Sequence, residues 1–331
     1  MVHSVSGADI SNGRASIPIP WVNDVDDVEL PNFDYQFLPK FTESLPKRMF
    51  CACRDGCSAE KGCSCVGMST IKLSKSGHVH DAHLLSENAF DSQFFECSAD
   101  CACAGTCANR LAPANDTQRH QLQIFKTPKA GFACKTMKAI RKGSFVCFLG
   151  GEVLPTDYPT IKPKDYEQIE APDKVCFTFI DNMRQAAFFI RFDKVANESR
   201  FFNSSCCPNL RTVHLFRDWL SPDRPLVAFI AICEISAGDE LSHYYGDRWI
   251  LDRLCAKPKS ICCCGAPFCV WPPHANRRED LFSRPKDRQL KAKTVRAELK
   301  QRDQRREAER RGTKKRRMDP EAAAVDQLEQ K

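Results

Sequence analysis

The sequence predicts a mostly β chain, of α+β class, whose flanks are organised by metal and not by an apolar core. Three observations carry this. Short β-branched and aromatic runs, "GSFVCFLGGEVL" from Gly143 and "LVAFIAICEI" from Leu226, lie between the turn signals "KAG", "RKG" and "SAGDE". No helical period of core length runs through that region. Most of the 20 cysteines gather on either side of it, in residues 46–110 and 255–273.

Residues 1–45 are rich in Pro, Asp and Asn. Their scattered apolar residues, such as Ile17, Ile19, Trp21 and Phe33, read as an extended arm packed on a core. Residues 46–110 hold nine cysteines and few apolar runs, so metal has to replace much of a core there. Residues 111–250 are the strand-rich centre. Residues 255–273 return to cysteine, and 274–331 form a basic tail. Within the tail, residues 286–311 contain good helix formers but almost no apolar stripe, so a helix there is solvated or folds on binding.

The composition, 42 % apolar and 27 % charged, is that of a soluble globular protein. No run of about 18 apolar residues occurs, so no membrane span is expected. The first twenty residues lack the continuous apolar stretch of a signal peptide. A reducing compartment is therefore expected, where clustered cysteines argue for metal over disulfides. The net charge of +7 is uneven: residues 286–317 hold 15 Lys and Arg against 5 Asp and Glu, a net of +10, which leaves −3 for the rest. Nucleic-acid binding is accordingly expected of the tail. Lys314, Lys315, Arg316 and Arg317 form a short basic run of nuclear-import type.

The first cysteine group is "CACRDGCSAEKGCSC", with Cys51, Cys53, Cys57, Cys63 and Cys65; the second is "CSADCACAGTC", with Cys97, Cys101, Cys103 and Cys107. Nine is odd, which suits neither a disulfide framework nor separate four-cysteine sites. It does suit three tetrahedral zincs, in which six terminal thiolates and three bridging ones fill about twelve ligand positions. Further on, "CCCGAPFC" gives Cys262, Cys264 and Cys269 in a CxCx4C spacing, one ligand short of a tetrahedral zinc. Cys206, in "RFFNSSCCPN", is the leading candidate for the fourth; Cys207 and Cys263 are the alternatives. About four zincs per chain are expected. Cys134, Cys147, Cys176 and Cys233 lie in apolar runs and read as small buried hydrophobes. The histidines of "HVHDAHLL" fall between the cysteine groups and read as a solvated loop.

Nine cysteines, a β-rich segment ending in "ELSHYYG", and CxCx4C resemble the pre-SET, SET and post-SET arrangement of protein-lysine methyltransferases of the suppressor-of-variegation type. The resemblance covers roughly residues 15–273. It implies a SET fold of small curled sheets with a pseudo-knotted C-terminal segment, an S-adenosylmethionine donor, the histone H3 tail as substrate, and a nuclear, chromosomal location. It leaves the oligomeric state open. "GFA", at Gly131, Phe132 and Ala133, matches the family's Gly-aromatic-Gly, which lies against the donor; Ala133 stands at the second glycine. "RFFNSSC" matches Arg-Phe-x-Asn-His-Ser-Cys. This puts Arg200 and Asn203 at donor-pocket positions, Ser204 at the histidine, and Cys206 at the post-SET zinc ligand. "GDELSHYYG" puts Tyr245 at the catalytic tyrosine and Tyr244 where Asp is usual. "VCFTFID" puts Cys176 at a tyrosine that shapes the lysine channel, and Arg191 stands where another Asp is usual.

The implied reaction is an in-line attack of a lysine amine on a sulfonium methyl, which needs alignment at about 3 Å and a neutral amine. Tyr245 is expected to orient that amine. The zinc scaffold and Tyr245 favour the enzyme; the departures at Ala133, Cys176, Ser204 and Tyr244 favour the alternative, a catalytically weak or inactive SET-fold chromatin-binding module.

Overall fold

The computed structural model describes residues 4–41, 50–54, 56–74, 76–80, 93–103, 107–113, 120–154, 176–181, 186–217, 226–245, 262–264, 266 and 269. The chain divides after Pro273 into two units, and the second, with the basic tail, lies outside the described residues.

The N-terminal segment is more integrated than an arm. Its strands β1 (Val5–Gly7), β2 (Trp21–Asn23), β3 (Asp34–Tyr35) and β4 (Lys40–Phe41) each enter a sheet. A five-residue helix, α1 (Ser64–Met68), and strand β5 (Gln93–Phe95) follow within the cysteine region. The central region supplies β6 (Leu122–Thr127), β7 (Gly131–Thr136), β8 (Phe145–Phe148), β9 (Glu152–Leu154), β10 (Cys176–Asp181), β11 (Ala186–Arg191) and β12 (Val195–Ala196). After a 3-10 turn at Glu198–Phe201 come β13 (Asn203–Ser204), β14 (Leu210–Phe216), β15 (Leu226–Ala231) and β16 (Ser242–His243). The sheets are small, as expected: β1-β2-β6-β7, β10-β11-β9-β4 and β5-β14-β15-β8, with the two-stranded pairs β12-β3 and β13-β16. No helix among the described residues is long and apolar enough to cross a membrane.

Strand β15 lies between β14 and β8, and all six of its residues are buried. That explains why its sequence is a continuous apolar run and not an alternation. It anchors the core of Phe94, Phe148, Leu215, Leu226 and Ile230. Cys134, Cys147 and Cys233 are fully buried, as read; the side chain of Cys176 lies outside the described residues.

"HVHDAHLL" departs from the solvated-loop reading over its first three residues. Val79 is 3 % exposed, bridges Leu73 and belongs to that core, while His78 is half-buried and His80 exposed. The β-branched residue is held between two polar ones by strand-like pairing, a period-2 signal too short to register. The rest of the motif lies outside the described residues.

A buried ion pair fixes the cysteine region to the central one. Glu96 and Arg217 meet at 2.7 Å, the carboxylate fully buried. The other Glu96 oxygen accepts the backbone N–H groups of Leu111 and Ala112 at 2.7 and 2.6 Å, and Arg217 donates to the carbonyls of Ala112 and Pro113. Removing one partner strands a buried charge. Glu96→Gln or Arg217→Met is expected to cost about 3–5 kcal/mol in urea unfolding. A cost below about 1 kcal/mol, the level of a surface pair, would show that the pair contributes little.

Candidate active site and metal centres

The site is built where the C-terminal segment passes beside the "RFFNSSC" stretch. Strand β13 pairs in parallel with β16, Asn203 against Ser242 and Ser204 against His243. Parallel neighbours this short are held by side chains. Asn209 donates its amide to the Glu240 carbonyl at 2.7 Å and accepts from the Ser242 N–H at 2.9 Å. The Ser205 N–H donates to the His243 carbonyl at 3.0 Å. Asn203 reaches outward from the crossing, its amide 3.4 Å from the Phe132 carbonyl on β7 and 3.2 Å from a Glu240 oxygen. Burial raises the Glu240 carboxyl, and the Asn203 donation partly offsets this.

Tyr245 follows directly. Its hydroxyl donates to the Phe202 carbonyl at 2.7 Å, and its ring lies 4.7 Å from the His243 imidazole. His243 stands 4.9 Å from Phe229, edge to face, and Phe229 stands 5.1 Å from Phe202. Phe202, Phe229, His243 and Tyr245 therefore form a closed circuit of contacts in which the tyrosine hydroxyl is one link. Burial pushes His243 down to about 3, against its bond to the Tyr244 backbone, so the imidazole is neutral. Tyr244, at the usual aspartate, is exposed.

The structure brings Phe132, Asn203 and Tyr245 to one neighbourhood through Glu240 and Phe202. Gly131 opens β7 at φ +76°, and no heavy atom lies within 4 Å of where a Cβ would stand. This is open space beside the Phe132 backbone, of the kind a tightly approaching ligand uses. Ala133 is fully buried and paired with Phe125. Arg200 acts on the wall: it donates to the Phe192 carbonyl at 2.7 Å and lies 5.6 Å from the Phe33 ring. Arg191, at the second usual aspartate, pairs with Glu152 and, at 3.0 Å, with Asp193, so its inverted charge is neutralised locally. Cys176 begins β10, its backbone opposite Arg191. Sequence reasoning missed Asn209, Glu240 and His243. Glu240 and His243 lie inside the quoted "GDELSHYYG", but nothing local marks them as ties.

The nine cysteines converge into one group. Three sets of four have all their sulfurs within 4.8 Å of one another: Cys51, Cys97, Cys101 and Cys103; Cys51, Cys57, Cys63 and Cys97; Cys57, Cys97, Cys103 and Cys107. The sets share members, as a bridged cluster requires. Cys65 joins through Cys101 at 3.8 Å, and Cys53 packs against the group. A fourth set unites Cys206 with Cys262, Cys264 and Cys269, leaving Cys207 and Cys263 outside it. The nearest sulfur pairs stand 3.6 to 3.9 Å apart. A tetrahedral zinc with bonds of about 2.3 Å sets its sulfurs about 3.8 Å apart, so the donors fit zinc in kind and in spacing. Burial pushes the Cys51 and Cys57 thiols far up. A bound cation reverses that and makes thiolates of them.

The comparisons agree with this geometry. Residues 11–110 match the Pre-SET motif and residues 131–246 match the SET domain. The chain carries a Pre-SET motif and a SET domain. Its SET region contains the β13–β16 crossing, and its pre-SET region the nine cysteines. It is 28 % identical over 266 residues to the histone-lysine N-methyltransferase, H3 lysine-9 specific SUVH5 of Arabidopsis thaliana, covering 79 % of this chain and 31 % of that protein. It is 29 % identical over 280 residues to human histone-lysine N-methyltransferase EHMT1, covering 81 % of this chain and 20 % of EHMT1. This SET-domain chain thus spans less than a third of either relative. Among solved structures, SUVH6 of Arabidopsis thaliana in complex with SAM superposes with a TM-score of 0.62 at 26 % identity, over 81 % of this chain and 55 % of that one.

Proposed function

We propose that this chain is an S-adenosylmethionine-dependent protein-lysine N-methyltransferase acting on the histone H3 tail, at a heterochromatin-type lysine, in the nucleus. The observation that carries the reading is the Tyr245 hydroxyl anchored on the Phe202 carbonyl, one residue before the Asn203–Ser204 crossing. The lysine-9 specificity named for SUVH5 supports the substrate class. Residues 46–110 serve as the pre-SET region, 111–250 as the SET domain and 255–273 as the post-SET segment.

When bound, the donor supplies an electrophilic methyl on a sulfonium. Gly131, Phe132 and Asn203 are the residues that hold it, and Ala133, Cys176, Arg200 and Ser204 complete the surroundings. Near pH 7 only a few free lysines in ten thousand are neutral, since their pKa is about 10.4. The substrate lysine loses its proton to solvent before transfer, helped by an apolar channel and the neighbouring positive charge. The Tyr245 proton is committed to Phe202, so its oxygen lone pairs are left to accept from the amine N–H. That aims the nitrogen lone pair at the methyl.

The test is to measure donor binding and methyl transfer to an H3 tail peptide by the purified protein. Slow but real turnover is expected, because Cys176 removes a hydroxyl and enlarges the space near the amine. Cys176→Tyr with Ser204→His should raise turnover, and the wild type should favour higher methylation states. No methylation by the wild type, and no rescue by the double variant, would make the non-catalytic chromatin-binding module the better reading.

The tail carries a separate role in this proposal. Deleting residues 286–331 removes the 286–317 segment with its net charge of +10. It should weaken DNA or nucleosome binding most at low salt and flatten the salt dependence, whose slope is about −0.9 per phosphate contact. Unchanged binding at low salt would remove the tail from DNA recognition.

A further inference from the structure

A cleft of about 400 Å³ lies between the pre-SET insert and a SET-domain turn, and it shares no residue with the Tyr245 neighbourhood. One wall is the hairpin closed by the Leu73–Val79 bridge, which contributes Ser74, Ser76, His78 and His80. Its side chains are already ordered among themselves. The Ser74 and Ser76 hydroxyls are 2.9 Å apart, Ser76 Oγ is 3.0 Å from His78 Nδ1, and the His78 N–H donates to Ser74 Oγ at 3.3 Å. The opposite wall is the turn before β8, with Arg141 and Lys142, and Glu234 completes the lining.

The two walls are joined at the base. The Val79 N–H donates to the Gly143 carbonyl at 2.9 Å, and Val79 is buried in the core. Gly143 has φ +79°, and a Cβ there would stand 2.6 Å from the Val79 carbonyl oxygen. Only glycine permits this approach, so the walls cannot part without exposing Val79. The cleft is therefore preformed and not a gap between mobile loops.

Its chemistry is lopsided. A guanidinium, an ammonium, two imidazoles and two hydroxyls face one carboxylate, and a Glu234 oxygen already accepts the Lys142 backbone N–H at 3.2 Å. Two cationic side chains against one carboxylate, with hydroxyl and imidazole groups beside them, suit an oxyanion. A phosphate monoester carries close to two negative charges and three strong acceptor oxygens. A nucleic-acid phosphodiester has one charge and two such oxygens, and would leave part of this donor set unused. We propose that the cleft binds a phosphate monoester, presented by a phosphoserine or phosphothreonine peptide. This goes beyond methyl transfer and does not depend on it.

The test uses the full-length, zinc-loaded protein and calorimetric titration with inorganic phosphate, a phosphoserine peptide, its unphosphorylated twin, and a DNA duplex. Saturable binding of phosphate and of the phosphopeptide is expected, with the unphosphorylated peptide much weaker. Arg141→Gln, at an exposed position, and Ser76→Ala should each weaken the phosphopeptide about tenfold, the effect of one hydrogen bond to a charged group. Zinc content and methyl transfer should not change. The proposal is overturned if phosphate shows no saturable binding, or if the two peptides bind alike. It is equally overturned if the substitutions have no effect, or if the duplex displaces the phosphopeptide and is itself the tighter, Arg141-dependent ligand.

Discussion

Removal of zinc by a strong chelator is expected to unfold the pre-SET region. Metal analysis of the untreated protein should give about four zincs per chain. In the described structure the nine cysteines form a cluster of their own, packed with Phe50 and Val66, while Ile71, Val79, Phe94 and Leu111 of the same region join the central core, so the segments around the cysteines are the ones that depend on metal. Structural zinc contributes about 10–16 kcal/mol in small zinc-dependent folds, far more than any single side chain. The loss should appear as protease cleavage confined at first to residues 50–113 and as broadened signals from that region. Cys206→Ser should lower the count by about one zinc and leave the nine-cysteine cluster loaded, because the two ligand sets share no residue. One or two zincs in the intact protein would sink the bridged-cluster reading.

Replacement of the tyrosine hydroxyl, Tyr245→Phe, should lower methyl transfer about a hundredfold, the scale on which small losses of alignment act. The fold should persist. The ring keeps its place against His243, and the Phe202 carbonyl loses one donor, a cost of about 1 kcal/mol. Donor affinity and zinc content should be unchanged, which separates loss of orientation from loss of the pocket. His243→Phe, which keeps an aromatic ring between Phe229 and Tyr245, provides the comparison and should lose much less activity. If Tyr245→Phe retains turnover within about threefold, the hydroxyl does not orient the amine.

The cysteine groups that the structure brings together were legible because clustered thiolates favour metal over other uses. Tyr245, Asn203 and Cys206 were singled out only as members of ordered motifs, not from their immediate surroundings. Arg200 was read as a donor-pocket residue; its side chain donates to the Phe192 carbonyl and lies beside the Phe33 ring, contacts that no local pattern announces. The N-terminal arm was read correctly as packed, but its strands alternate too briefly to reveal the three sheets they enter. Val79 was lost among histidines for the same reason.

By itself, the sequence determined the mostly β class of the chain and the grouping of its cysteines into zinc-type ligand sets, since these follow from residue type and local spacing; the chemistry of its other motifs was implied only by their resemblance to a known family. Tertiary structure alone decided which distant groups meet. The Glu96–Arg217 pair spans 121 residues, the Asn209 clamp reaches over 30 to Glu240 and Ser242, and the cleft joins an insert to a turn more than 60 residues away. Each depends on loop closure and on burial that lowers the local dielectric. No local pattern encodes either, because the energy that selects those partners exists only once the core has formed around them.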